Sequence, residues 1–136
     1  MPQKLNFFFQ ILLFLLLTNC DVSKKINIVD LNGYWKIDFV SKQNEIFRLK
    51  GGSFLLDYYY TDGNFGWRKK VAPSINDIFE TSNDTTFFKI KSNDKNSFLF
   101  FKTKWHNWNE MIVKVDSVSL ILKIKDKKYH YKKFSP

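Results

Sequence analysis

The chain has 136 residues, with 22 Lys and Arg against 13 Asp and Glu, a formal charge of +9 and an aromatic content of 18%. That length supports a single core and excludes a multidomain assembly. The excess of base invites a nucleic-acid reading, but only Arg48 and Arg68 carry guanidinium groups. Nucleic-acid surfaces lean on that planar donor fork, so no nucleic-acid partner is expected. The charge is read as solvated strand faces, with attraction to an anionic membrane surface as the alternative.

The first element is a basic start at Lys4 followed by the apolar run from Phe7 to Leu17. It is shorter than the roughly 20 residues that cross a hydrocarbon core and matches the apolar region of a secretory signal. The run leads into Leu17-Thr18-Asn19-Cys20, which holds the only cysteine of the chain. A lone thiol makes no internal disulfide. This exit resembles the bacterial lipobox, which implies cleavage before Cys20 and acylation of its thiol by palmitate-like chains. Two or three such chains anchor a protein stably. Residues 1–19 are therefore expected to be a lipoprotein signal peptide, 20–30 a lipidated tether, and 31–136 the folded domain. The implied location is the bacterial cell envelope, the outer membrane more than the inner, with the bilayer as partner through Cys20.

Beyond the tether the pattern is one of strands. Trp35, Ile37 and Phe39 alternate with Lys36 and Asp38, and Phe54, Leu56, Tyr58 and Tyr60 alternate similarly. Turn signals stand at Asn32-Gly33, Gly51-Gly52-Ser53, Asp62-Gly63-Asn64 and Asn93-Asp94-Lys95. The Asp-Gly pair between "FLLDYYYT" and "FGWRKKV" predicts a tight hairpin. Further strands are expected at 85–91, 97–104, 109–115, 118–125 and 128–134. Only "SINDIF", with Ile75, Ile78 and Phe79 at helical spacing, suggests a helical turn. The fold class is all-β, an antiparallel barrel or sandwich, and closure into a barrel would remove exposed edges.

Gly33-Tyr34-Trp35 in "LNGYWKI" resembles the Gly-x-Trp signature of lipocalins. With the lipobox before it, the chain is similar to the small lipocalin-like lipoproteins of Bacteroidetes. "GWRKKVAP", "KTKWHNWNEMIVKV" and "LILKIKDKKYHYKKF" add to the likeness. The resemblance implies an up-and-down barrel of about 8–10 strands that binds a small apolar or amphipathic ligand without catalysis. It gives Gly33 and Trp35 structural roles at the closed end. It also implies a basic residue of the last strand over Trp35, for which Lys132 and Lys133 stand near the right place.

Candidate binding residues come from the aromatic clusters. Tyr58, Tyr60, Phe65 and Trp67 share one face of the predicted hairpin. They either line a cavity, facing inward with Trp35, or simply fill the interior. Trp105 and Trp108 in "KWHNWNE" form either an aromatic platform or part of the barrel wall. Arg68, Lys69 or Lys104 would supply a polar anchor at the mouth. The histidines, His106 and His130, lack metal-site spacing, and no framed nucleophile occurs, so neither metal, cofactor nor enzymatic activity is expected. The competing function is a protein-interaction module with a filled barrel, such as an envelope assembly factor or hydrolase inhibitor.

Overall fold

The computed structural model describes residues 25–51, 55–73, 79–81 and 83–136. The expected signal peptide, Cys20 and the start of the expected tether lie outside them, as do residues 74–78 of the suggested helical turn. A 3-10 turn at Ile28–Leu31 leads into β1 (Gly33–Lys42), β2 (Glu45–Phe47), β3 (Leu56–Asp62), β4 (Phe65–Pro73) and β5 (Phe79–Thr81). They are followed by β6 (Thr86–Ser92), β7 (Ser97–Lys102), β8 (Asn107–Val115), β9 (Ser119–Ile124) and β10 (Lys127–Phe134).

Hydrogen bonding runs β10-β9-β8-β7-β6-β4-β3-β1, and β10 then pairs with β1. Eight antiparallel strands thus close an up-and-down barrel, with β2 and β5 as side strands on β1 and β4. Closure leaves the barrel strands without free edges. The last five strands stand within a few residues of the positions their alternation predicts. The three-residue β2 is too short to show a period.

Successive side chains of a strand point to opposite faces, so the pairing register decides what enters the barrel. Trp35 stands opposite Asp57, Asp57 opposite Lys70, and Tyr59 opposite Arg68. These residues share the inward face. The opposite set of β3 and β4, Tyr58, Tyr60, Phe65 and Trp67, points outward. On β1 the register shifts between Ile37 and Phe39. This bulge turns Phe39 outward, where it stacks on His130 at 4.0 Å between centroids. Phe39 therefore leaves the face expected from strict alternation.

The closed end is filled with apolar side chains. Leu31, Trp35, Tyr59, Phe88, Ile90, Leu99, Phe101, Ile112, Leu120 and Leu122 form a continuous buried cluster. Trp35 is fully buried, and its indole Nε1 donates to the Leu31 carbonyl at 2.8 Å. Lys133 Nζ lies 4.4 Å from the Trp35 ring centroid and donates to the carbonyls of Asp30, at 3.2 Å, and Asn32. Burial holds the Lys133 pKa below its usual value, with Asp30 acting in the opposite sense. One lysine thus ties the 3-10 turn to the last strand across the tryptophan face.

Two glycines are dictated by this packing. Gly33 has φ +113°, and a Cβ there would sit 3.1 Å from Lys133 Cε. Gly66 points into the barrel, where a Cβ would come within 2.5 Å of the Phe88 ring and of the Tyr60 carbonyl. Only a residue without a side chain fits there.

Trp35→Ala is expected to destabilise the fold by about 3 to 5 kcal/mol, the range for emptying a large aromatic site. Urea titration checks this, and a loss below about 1 kcal/mol would contradict the burial.

Candidate functional site

An up-and-down path puts the β1–β2, β2–β3, β4–β6, β7–β8 and β9–β10 connections at one end, opposite the 3-10 turn. At this end the barrel opens. A cavity of about 330 Å³ lies there, walled by Ile37, Val40, Tyr129 and Tyr131 and lipped by Phe47, Leu49 and Leu55. Its floor includes Asp57 and Lys70. A second hollow of about 210 Å³ shares Asp57, Lys70, Tyr129 and Tyr131 and reaches Arg68, Glu110, Leu122 and Ile124. The two form one continuous mouth, with an apolar rim and polar depth. A larger crevice of about 510 Å³ runs along the N-terminal segment, past Lys25, Ile26 and Val113. It has no comparable buried polar floor.

Arg68 organises that floor. Its Nη1 donates to Tyr59 Oη at 2.9 Å and to both carboxylate oxygens of Glu110 at 3.2 Å. Its Cζ lies 4.4 Å from the Phe101 ring centroid. Glu110 also accepts from Trp108 Nε1 at 3.0 Å, and Trp108 stacks on Phe101 at 4.8 Å with a 6° interplanar angle. Burial opposes the charge of Arg68, but Tyr59 and Glu110 outweigh it and the guanidinium pKa is raised. Burial likewise pushes the Tyr59 and Tyr131 phenols well above their usual range. Both stay neutral hydroxyls.

Asp57 makes the second pair. The residue is 3% exposed, and Lys70 Nζ lies 2.6 Å from its Oδ1. Oδ1 is itself buried and has no other partner among the described residues, so the close approach of Lys70 supplies its charge compensation. At the rim, Arg48 pairs with Asp38 at 3.0 Å and lies over the outward face of Phe39.

The residues singled out from sequence fall on both sides of the wall. Arg68 is inside, beneath the mouth instead of at its edge. Trp108 belongs to the wall and supports Glu110. Trp105 is 84% exposed in the β7–β8 turn, with Lys104 beside its ring, and does not meet Trp108 as a platform. The inward placement of Tyr58, Tyr60, Phe65 and Trp67 is corrected: they form an outer aromatic face. Tyr58 packs on Tyr34 at 4.6 Å and on Trp67 at 5.5 Å, and Tyr60 stacks on Trp67 at 5.7 Å. Phe65 is exposed, and Lys69 lies over Trp67. The physical reason is register, since a one-residue difference in pairing exchanges the faces. Gly33 and Trp35 occupy the closed end. Cys20 lies outside the described residues. Asp57, Tyr59, Lys70, Glu110, Tyr129 and Tyr131 escaped the sequence reading. The available signal was parity with Trp35 combined with a carboxylate inside an otherwise apolar strand.

Among the described residues, no three His, Cys, Asp or Glu side chains group as a metal site.

Arg68→Met should cost about 3 kcal/mol or more, since it leaves Glu110 buried without its cation. The double variant Arg68→Met/Glu110→Leu should recover a large part of that loss. Chemical denaturation of the two singles and the double checks this. Additive losses would contradict a coupled buried pair.

No protein-family profile matches the sequence, and no match was found among curated proteins. Solved structures similar to this chain include the following two. One is a lipocalin-like protein from Bacteroides uniformis, 12% identical, with TM-score 0.48 over 77% of this chain and 99% of that one. The other is an uncharacterized protein from Bacteroides eggerthii, 8% identical, with TM-score 0.48 over 76% of this chain and 99% of that one.

Proposed function

We propose that this chain is a noncatalytic, lipid-anchored protein of the bacterial envelope whose barrel takes up one small amphipathic molecule through its open end. The mouth cavity carries the reading. Its volume of about 330 Å³ falls at the lower end of the roughly 300–1,000 Å³ of small-molecule sites. Such sites combine apolar walls with a few fixed polar groups, the arrangement built here by Ile37, Val40, Tyr129 and Leu55 above Asp57 and Lys70. The lipid anchor is supported by the lipobox-like Leu17-Thr18-Asn19-Cys20 behind a short apolar run.

The protein-interaction reading moves to the outer wall. There Phe65, Phe87 and Phe100 line a groove of about 360 Å³ with Lys89 and Lys102. Phe65 and Phe87 are both exposed, and exposed apolar surface of this kind marks contact sites.

An uncharged fluorescent probe such as N-phenyl-1-naphthylamine should bind saturably at one site. Val40→Trp, which fills the mouth, should abolish uptake, and Trp67→Ala on the outer wall should leave it unchanged. Uptake lost on Trp67→Ala and kept on Val40→Trp would transfer the site to the outer face.

The anchor is tested separately. Intact mass spectrometry of the protein from a bacterial host should show a mature chain beginning at Cys20 and carrying acyl mass, which Cys20→Ser should eliminate. A mature form starting elsewhere without lipid would refute the anchor.

A further inference from the structure

The outer wall of β3, β4, β6 and β7 carries a pattern that the mouth does not use. Cross-strand pairing sets its outward side chains in rows. One row runs Tyr60, Trp67 and Phe87, and the next runs Asp62, Phe65, Lys89 and Phe100. On the flanks Lys69 stands opposite Tyr58 and Lys91 opposite Phe98. Tyr60, Phe65 and Phe87 are all exposed. Each lysine lies over a ring: Lys69 Nζ is 5.5 Å from the Trp67 centroid, Lys89 Nζ 5.7 Å from that of Phe65, and Lys91 Nζ 5.0 Å from that of Phe100.

Lys42, Lys70, Lys114 and Lys132 each face an aspartate. The wall lysines do not. Neither Lys69, Lys89 and Lys91 nor Lys102, which lines the groove with Phe87, makes an ion pair among the described residues. Asp62 is the one carboxylate on these rows, and at the edges the exposed Asp84 and Asp94 are balanced by Lys104 and Lys95. The wall is thus aromatic and cationic at once. A protein partner fits this poorly, because the buried centre of a protein interface is depleted in lysine and an ammonium buried without its countercharge is costly. A bilayer surface fits it well. Aromatic rings settle at the headgroup level, lysine stems lie along apolar surface with the charge in water, and anionic headgroups supply the missing countercharge.

We infer that this wall docks on an anionic lipid surface, with Tyr60, Phe65 and Phe87 entering the headgroup zone and Lys69, Lys89, Lys91 and Lys102 meeting lipid phosphates. Such contact lays the barrel on its side, so that the mouth opens along the bilayer instead of away from it. It requires neither the acyl anchor nor the mouth cavity, and it stands or falls apart from both.

The test is hydroxyl-radical footprinting of the full-length chain at low salt with vesicles of phosphatidylcholine, alone or mixed with phosphatidylglycerol. Whatever holds the N-terminal segment to a vesicle is common to every arm, so the readout compares the faces of the barrel. Labelling of Tyr60, Phe65 and Phe87 should fall about threefold or more on the anionic vesicles and stay unchanged on the neutral ones. Phe47, exposed on β2 outside the wall, should label equally on both. High salt should restore the lost labelling. Lys89→Gln/Lys91→Gln should remove most of the protection, whereas Lys123→Gln/Lys128→Gln, which takes the same charge from a cross-strand pair on β9 and β10, should keep it. Equal labelling of the wall on the two kinds of vesicle would overturn the inference and leave the wall to a protein partner. Equal loss of protection in the two variants would show attraction by net charge without a preferred face, and would overturn it as well.

Discussion

A guanidinium group held inside a small barrel is the constraint from which the rest of this structure follows. Taking Arg68 out of water costs several kcal/mol unless the charge is matched and its protons are used. Glu110, Tyr59 and the Phe101 ring supply that environment from three other strands. The group therefore fixes β4 against β3, β7 and β8 together. A one-residue slip of β4 would carry Trp67 inward, expose Arg68 and strand Glu110 in the interior. A purely apolar interior would penalise such a slip far less, because the outward face of this hairpin is also aromatic.

The buried pair also divides the barrel. Toward the 3-10 turn the interior is packed solid around Trp35, Leu99, Phe101 and Leu120. On the other side the charged floor ends the apolar packing, and the walls formed by Tyr129, Tyr131 and Val40 stand apart. Small barrels tend to fill with side chains; here the filling stops at the layer of ion pairs. The polar floor and the apolar rim are thus two consequences of one arrangement, and together they define the mouth as an amphipathic site.

Much of the fold was legible in the sequence. The alternation in β8 to β10 and the Asp62-Gly63 hairpin fix strands and connections from local chemistry alone. Gly33 and Trp35 mark the first strand because a positive φ and a large buried indole leave few alternatives. The facing of β3 and β4 was not legible. Three consecutive tyrosines, Tyr58, Tyr59 and Tyr60, make both faces of β3 equally aromatic. In β4 the more apolar set, Phe65 and Trp67, is the one that faces out. Hydrophobicity alone selects the wrong set there; the nonlocal pairing of Trp35 with Asp57 decides the matter, and the hairpin pairing of Tyr59 with Arg68 carries the choice to β4. The β1 bulge that turns Phe39 outward is likewise a product of pairing with β10 and leaves no local trace. The candidate site was illegible for the same reason, since its residues come from seven strands and meet only through register.

The account stands on which side of the wall these aromatic side chains occupy. Hydroxyl-radical footprinting read by mass spectrometry reports that directly, residue by residue, on the folded protein. Tyr60, Phe65, Phe87 and Trp105 should label readily, while Trp35, Tyr59 and Phe101 should be protected until the chain unfolds. Protection of Tyr60 and Phe65 together with rapid labelling of Tyr59 would contradict the register, and with it the buried Arg68–Glu110 pair and the mouth built upon it.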